Sequence, residues 1–133
     1  MTWTRLLETV RYDGAYPTRE RAEQVTVNVL AALGRQLTGD ERVDLAAVLP
    51  EEAAEVFTAQ VPAVEKLTGW SFVKDLAVRT NASPATTRWD TGTVFAVLAR
   101  LAGPGLLARA LAQLPTGYAL LFGQAQLTPP RAA

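Results

Sequence analysis

The stretch NVLAAL, residues Asn28–Leu33, returns as AVLARL, residues Ala96–Leu101, 68 positions further along this 133-residue chain. Short matches of alanine, leucine and valine arise by chance in helical proteins, but here aromatic and proline positions recur in the same order as well. This order predicts an internal duplication. The further matched pairs are Trp3 with Trp70 and Pro17 with Pro84, at 67 positions, and Leu49-Pro50 and Phe57 with Leu114-Pro115 and Phe122, at 65 positions.

The length of the repeat separates this chain from helical arrays. Its spacing of 65 to 68 positions exceeds the roughly 34 to 47 residues of common helical solenoid units. The duplication therefore predicts two units packed on each other within one domain of residues 1–133, a length that suits a single core. We assign repeat A to residues 1–57, the connector to 58–68, repeat B to 69–123 and a frayed tail to 124–133.

Apolar period and capping residues predict about four helices in each repeat. The first apolar residues recur at i, i+3, i+4 and i+7, one face of a helix that ends near Asp13-Gly14. A second helix is expected from Pro17-Thr18, and its copy from Ser83-Pro84. A capping box over Thr38–Glu41 predicts the third helix, and Pro50 the start of the fourth. No segment alternates as a strand does, so we predict an all-α fold with a pseudo-twofold axis. The stripe expected to be buried on the second helix is Ala22, Val25, Val29, Leu33 and Leu37.

The composition excludes several classes of site. The chain has no cysteine and no histidine, which excludes disulfides, thiolate nucleophiles and zinc–thiolate sites and removes the usual proton carrier and metal ligand. No metal or cofactor is expected. The most apolar stretch, Thr93–Leu114, is broken by Arg100, Gly103-Pro104-Gly105 and Arg109, so no membrane span is expected. Without a recognisable targeting segment, the expected location is cytoplasmic.

The paired helical units resemble the bacterial family catalogued as domain of unknown function 2267. The resemblance covers Trp3 to about Gly123 and implies a small all-helical cytoplasmic bacterial protein, with no reaction, ligand or partner attached. One segment, Asp90-Thr91-Gly92-Thr93, departs from the family pattern, so the helix that contains it is expected to be irregular. The residues that carry the resemblance are Leu6, Leu7, Val10, Val29, Leu30, Leu33, Leu49-Pro50 and Phe57, then Val73, Val97, Leu98, Leu101, Leu114-Pro115, Tyr118 and Phe122.

The charge of the chain is divided between its halves. Residues 1–67 hold eleven acidic and seven basic side chains, a net charge of −4, and residues 68–133 hold two acidic and six basic ones, a net charge of +4. Three alternatives remain open: the charges help the repeats dock on each other, they drive self-association between molecules, or the basic half meets an acidic partner. The scattered basic side chains Lys74, Arg79, Arg88, Arg100 and Arg109 argue against nucleic acid, which requires clustered cations.

Candidate interaction or pocket residues come from the second helix of repeat B and from tyrosines near helix ends. Asp90 lies beside Trp89 in the middle of a helix, a poor place for aspartate, and is the first candidate for a buried polar contact. Arg88, Tyr16 and Tyr118 complete the set. An exposed aromatic residue among apolar neighbours would mark a partner site. The remaining aromatic residues are expected to be mostly core anchors: Trp3, Phe57, Trp70, Phe72, Phe95 and Phe122.

The function expected from these observations is a non-enzymatic protein-interaction or scaffold module, acting through another protein or through itself. The alternative is a small-molecule-binding protein with an apolar pocket between the repeats, oriented by Asp90 or Arg88. Nucleic-acid binding through the basic second repeat is the third hypothesis. Catalysis is not expected, because the acidic groups have the spacing of solvated helix faces: Glu20 with Glu23, and Glu51 and Glu52 with Glu55.

Overall fold

The computed structural model describes residues 1–124, which form seven α-helices and no strand. The predicted all-α fold class is confirmed. Of the tail predicted over 124–133, residues 125–133 lie outside the described residues. The helices are α1 (Trp3–Gly14), α2 (Arg19–Gly34), α3 (Gly39–Val48), α4 (Glu51–Thr58), α5 (Gly69–Thr80), α6 (Pro84–Gln113) and α7 (Tyr118–Leu121).

Polar side chains cap the helices where the sequence predicts starts. The Thr18 hydroxyl accepts a hydrogen bond from the Arg21 amide at 3.1 Å, which begins α2. The Ser83 hydroxyl accepts one from the Thr86 amide, also at 3.1 Å, and Pro84 follows at the first helical position. Each cap satisfies one of the amide groups that a helix leaves unpaired at its start. Both predicted starts are confirmed.

Two local predictions are wrong. The Thr38 side chain does not cap α3. Instead, the backbone amide and the hydroxyl group of Thr38 both donate hydrogen bonds to Gln113 Oε1, at 2.7 and 3.2 Å. The segment 90–93 does not disturb α6, which runs through it with helical geometry. The interruption comes later, at Gly103, whose φ of 82° and ψ of 163° are not helical. Pro104 then begins a second straight section of the same helix.

The core lies between two central helices. α2 and α6 pack against each other; α1 packs on both, and so does α5. The predicted stripe of α2 is buried throughout. Around α6, Phe95 stacks on Phe122 with ring centroids 4.1 Å apart, and Phe72 lies 5.6 Å from Phe95. Trp70 was expected in the core but is 62% exposed, because it lies on the outward face of α5. There, Lys74 Nζ lies 5.8 Å from the centroid of the Trp70 ring.

Arg42 ties the ends of two helices together. Its guanidinium donates hydrogen bonds to the carbonyl oxygens of Gly34 and Leu37, after α2, and of Phe57 and Gln60, at the end of α4. Carbonyl groups at a helix C-terminus have no partner within the helix, and a cation there also favours the helix dipole. Burial lowers the pKa of Arg42 from its usual value. Arg42 of α3 therefore connects the C-terminal end of α2 to that of α4.

Polar contacts join the two halves of the chain. Arg109 Nη2 lies 2.6 Å from Asp44, and Arg100 Nη2 lies 3.0 Å from Asp13. The Gln113 amide also donates to the Thr38 carbonyl oxygen at 2.9 Å. Each ion pair joins a carboxylate of the acidic half to an arginine of the basic half, so opposite charges meet within one molecule.

Helix α6 is long and apolar enough to cross a membrane by length and composition alone. An 18-residue window within it has a mean hydropathy of 1.5, and 33% of that window is buried in the fold. The core helix of a soluble protein meets the same test. The non-helical geometry at Gly103 agrees with the expectation that this stretch is not one continuous apolar helix.

Candidate functional site

Tyr16, Asp90 and Arg21 form a polar cluster where the α1–α2 turn meets α6. The Tyr16 hydroxyl donates a hydrogen bond to Asp90 Oδ1 at 2.5 Å, and Arg21 Nη2 lies 3.6 Å from Asp90 Oδ2. Tyr16 and Asp90 are each 9% exposed. Burial and then the hydrogen bond to Asp90 raise the pKa of the Tyr16 phenol above its usual value. A buried carboxylate requires such partners, and the expected buried polar contact of Asp90 is confirmed.

Gly14, the last residue of α1, is the residue against which the side chains of both Tyr16 and Trp89 lie. A Cβ atom added to Gly14 would lie 2.1 Å from Tyr16 Cε2, so only glycine leaves room for the phenol ring. The Gly14 carbonyl oxygen accepts a hydrogen bond from Trp89 Nε1 at 3.0 Å. From the sequence, Gly14 was predicted only as the end of a helix. Its role depends on two side chains that the fold brings to it, one of them 75 positions away.

Trp89 is fixed in place but exposed. Its indole is held by the Gly14 carbonyl oxygen, yet the residue is 55% exposed, as is Leu120 of α7. Between α6 and α7 lies a shallow groove of ≈ 330 Å³. A Cβ atom added to Gly92 would lie 2.8 Å from Arg88 Nη1, so the guanidinium lies over the helix beside this groove. We call the region formed by the following residues the Trp89 surface: Arg88, Trp89, Gly92, Ala96 and Leu120.

Tyr118 lies apart from the other candidates. It is 1% exposed, and its hydroxyl donates a hydrogen bond to the Leu67 carbonyl oxygen at 2.9 Å. Its ring meets Phe72 edge-on at 5.6 Å, and burial raises the pKa of its phenol above its usual value. The structure therefore brings Tyr16, Trp89 and Asp90 together, with Arg88 beside them, and makes Tyr118 part of the core.

A polar cleft separates α2 from α5 on the opposite side of α6. Its volume is ≈ 690 Å³, and we call it the α2–α5 cleft. Arg21 and Asp90 close one end, and Arg79 of α5 lies along the wall. No local sequence motif marks this cleft, because its lining comes from three helices. Its lining includes Gln24, Val25, Asn28, Leu76, Arg79 and Ala82.

The carboxylates of residues 1–124 are spread over the helices. No set of three carboxylates within residues 1–124 could hold a metal ion. Asp90 faces a phenol and a guanidinium, whereas a carboxylate pair that exchanges a proton needs a second carboxyl group nearby. What the site offers is a rigid exposed indole on one side of α6 and a polar cleft on the other.

The comparisons with known proteins give one match. The sequence profile of a family described as "Uncharacterized conserved protein (DUF2267)" matches residues 3–121. No curated protein matches the chain. The matched range contains every described residue of the Trp89 surface and of the α2–α5 cleft.

Proposed function

Because this chain belongs to the DUF2267 family of uncharacterized conserved proteins, we propose a function from its surfaces: a non-enzymatic protein-interaction module made of two copies of one helical unit. The observation that carries the proposal is the Trp89 indole, which is held by a hydrogen bond and yet 55% exposed. The duplication is the architectural part of the proposal, and the Trp89 surface is its functional part.

Matching caps support the duplication. The first helix of each half begins with a threonine cap, Thr2 and Thr68, and ends in the left-handed conformation, at Ala15 and Asn81. These pairs are 66 positions apart. The Leu49 cap has φ −87° and ψ 153°, and the Leu114 cap 65 positions later has φ −90° and ψ 150°. A pseudo-twofold axis would relate the contact between α1 and α6 to one between α5 and α2, and both contacts are present.

Burial supports the same register along the second helices. Every buried position of α2 from Ala22 to Leu33 has a buried counterpart in α6 at a distance of 65. The register differs from the predicted shifts of 67 and 68. It changes from 66 to 65 within the α1–α2 turn, where repeat A has one residue more than repeat B. The matched pairs are Ala22 with Thr87, Val25 with Asp90, Thr26 with Thr91, Val29 with Val94, Leu30 with Phe95, Ala32 with Val97, and Leu33 with Leu98.

The Trp89 surface has the features of a protein-binding site. Tryptophan and arginine are the residues most enriched among those that dominate binding energy, and here Trp89 and Arg88 are adjacent. The hydrogen bond to Gly14 fixes the indole before a partner arrives, which lowers the entropy that binding has to overcome. Trp70 is also exposed, but its indole has no hydrogen bond to any described residue.

Ion pairs within the molecule argue against self-association of two molecules through the opposite net charges of their halves. Of the five basic side chains of residues 68–124, Arg79, Arg100 and Arg109 already pair with described carboxylates. Lys74 and Arg88 have no ion pair among residues 1–124. The same dispersal argues against the phosphate contacts that nucleic acid would require. The proposed partner is therefore a protein segment with an apolar side chain for the groove between Trp89 and Leu120.

The test is site-specific photocrosslinking in the cells that produce the protein. Benzoylphenylalanine is introduced at Leu120, inside the proposed surface, and at Tyr12, an 83% exposed position on α1, as the matched control. We expect discrete covalent adducts from position 120 that disappear when Trp89→Ala is added. Their masses separate a second copy of this chain from another protein.

Adducts of equal yield from both positions, or adducts that persist with Trp89→Ala, would contradict the proposal. Circular dichroism of the Trp89→Ala variant provides the folding control, since Trp89 donates only one hydrogen bond to the fold.

For the alternative of a small-molecule pocket between the repeats, the larger space is the α2–α5 cleft, which Asp90 lines, and not the apolar interior. The apolar space between α2, α3 and α6 measures ≈ 10 Å³, about one water-sized sphere. Trp89 and Arg88 do not line it.

A further inference from the structure

The Trp89 indole borders a second groove besides the one in the Trp89 surface. The first, of ≈ 330 Å³, lies between α6 and α7. The second, of ≈ 580 Å³, lies between the α1–α2 turn and the start of α6. Among the described residues, Trp89 alone lines both grooves. We call the second one the Tyr16 groove, and its lining includes Tyr16, Pro17, Arg21, Ala85, Thr86 and Trp89.

Both grooves offer apolar contacts next to the indole. Leu120 is 55% exposed beside the first groove, and Pro17 and Ala85 are exposed beside the second. The indole keeps the two grooves apart, because its Nε1 is held by the Gly14 carbonyl oxygen at 3.0 Å. A partner that covers this region therefore has to place apolar groups on both sides of a fixed ring.

The polar groups around Trp89 are already used by the fold. The indole N–H donates to Gly14, and the Thr93 hydroxyl donates to the Trp89 carbonyl oxygen at 2.9 Å. The Tyr16 hydroxyl donates to Asp90. An extended peptide buried here would leave N–H and C=O groups of its own backbone without partners, which is costly. A helix satisfies these groups internally, so a helix is the backbone that fits this surface.

The spacing of side chains on a helix also suits the two grooves. Residues i and i+4 lie on one face of a helix, about 6 Å apart along its axis, so they can flank a single indole. Helices in general pack by placing the side-chain ridges of one into the grooves of the other. The partner helix therefore needs two apolar residues at this spacing.

The free charge of this region is positive. Among residues 1–124, Arg88 has neither an ion pair nor a side-chain hydrogen bond, and the first turn of α6 contains no acidic residue to offset the helix dipole. The two nearby carboxylates are already paired, Asp13 with Arg100 at 3.0 Å and Asp90 with Arg21 at 3.6 Å. An acidic side chain on the partner would complement Arg88.

We propose that the Trp89 surface and the Tyr16 groove together bind one amphipathic helix of another protein. Apolar residues of that helix at i and i+4 occupy the two grooves on either side of the indole, and an acidic residue meets the Arg88 guanidinium. This inference rests on the proposed function, because it names the kind of partner that the same site takes.

The experiment offers the full chain two displayed peptide libraries of equal length and diversity. The helical library has an alanine-rich backbone of about 15 residues, stapled through its side chains because isolated helices of this length are marginal in water. The extended library has proline at every third position, which favours the polyproline conformation. We expect binders from the helical library, with apolar residues four positions apart and aspartate or glutamate beside them.

Two pairs of variants assign the binding to the site. Fluorescence anisotropy with the best helical peptide should show at least about tenfold weaker binding to Trp89→Ala. Trp70→Ala removes the exposed tryptophan of α5 and should leave the affinity unchanged. Selection against Arg88→Glu should replace the acidic residues of the peptides by lysine or arginine. Arg5→Glu, at an exposed position of α1, is the charge control and should keep the acidic preference.

Several results would overturn the proposal. They are binders mainly from the extended library, no binder from either library, helical binders that keep their affinity for Trp89→Ala, and helical binders without an acidic preference. Light scattering that shows dimers of the parent chain, dissociated by Trp89→Ala, would place a second copy on the site instead.

These results are distinct from those of the crosslinking experiment. Trp89-dependent adducts at position 120 together with extended binders would keep the proposed function and remove only the helix. Helical binders without any adduct in cells would keep the helix-binding surface and contradict the proposed function.

Discussion

At the scale of single residues, the Tyr16–Asp90 hydrogen bond is the contact on which the candidate site depends. Its acceptor is a carboxylate that is 9% exposed. Hydrogen bonds to charged groups stabilise by about 1.5 to 3 kcal/mol, and neutral ones by about 1 kcal/mol. The Tyr118 hydroxyl makes a bond of the second kind, to the Leu67 carbonyl oxygen. The two phenols therefore form a matched pair.

We predict that Tyr16→Phe lowers the free energy of unfolding by about 2 kcal/mol and Tyr118→Phe by about 1 kcal/mol. Urea unfolding followed by circular dichroism measures both. Phenylalanine keeps the packing of each ring, so the difference between the two losses of stability reflects whether the acceptor is a carboxylate or a neutral carbonyl group. If the two variants lose the same stability, Asp90 is not held by the Tyr16 hydroxyl in solution.

The same phenols predict the response to alkali. The pKa values of Tyr16 and Tyr118 are both raised in the folded protein, mainly by burial. Above about pH 10 the unfolded chain therefore loses phenol protons that the folded state keeps, and the free energy of unfolding falls as the pH rises further. Below that pH these two groups make no pH-dependent contribution.

The measurement compares urea midpoints at about pH 9 and about pH 11. We expect the drop between them to be smaller in the double variant Tyr16→Phe with Tyr118→Phe than in the parent chain, since the two proteins differ only in these phenols. Tyr12→Phe, at an exposed position of α1, is the control and should keep the full drop. An unchanged drop in the double variant would count against burial of the two phenols.

At the scale of elements, the break in α6 depends on one glycine. Gly103 has φ 82° and ψ 163°, a combination that residues with a Cβ atom almost never adopt. A Cβ atom added there would meet nothing within 4 Å, and the same holds for Gly105 two positions later. Crowding is therefore equal at the two positions, and only the backbone differs.

We predict opposite signs for the two alanine substitutions. Gly103→Ala should destabilise the protein by about 1 to 3 kcal/mol through backbone strain, whereas Gly105→Ala should stabilise it by a few tenths to about 1 kcal/mol through helix propensity. Thermal unfolding by calorimetry measures both. A stabilising Gly103→Ala would mean that α6 can straighten, so that the kink is not required by the fold.

The helices could be predicted from sequence because their signals are local. Caps at Thr18 and Ser83 and the proline at position 50 act within a few residues. The capping box at Thr38 failed because its competitor, Gln113, is 75 positions away. The predicted shift of 67 positions for the repeat rests on matching tryptophans, and Trp70 is exposed. The repeat proposed from the structure instead matches buried residues at 65 positions.

The candidate site could be predicted only in part. Asp90 was identified because an aspartate in mid-helix is costly without a partner. Its partner Tyr16 is 74 positions away, and nothing in a single sequence links them. The α2–α5 cleft could not be predicted, because its lining comes from three helices that only the fold brings together.

At the scale of the whole molecule, the two halves share one core, because α1 and α5 each pack on both central helices. Each first helix packs on the central helix of the other half, α1 on α6 and α5 on α2. Neither half can bury its apolar face alone, and a domain of this size normally unfolds in one step. Leu33 of α2 and Leu98 of α6, which are equivalent in the proposed repeat, have 0% and 1% exposure.

We predict that Leu33→Ala and Leu98→Ala each lower the free energy of unfolding by about 2 to 5 kcal/mol and that each keeps a single transition with an unchanged urea dependence. The reason is that a cavity on either central helix removes contacts of both halves. Native-state hydrogen exchange provides the decisive readout, since α2 and α6 amides should lose protection equally in either variant. If Leu33→Ala releases the amides of α2 while α6 stays protected, the halves are independent domains and the shared core is wrong.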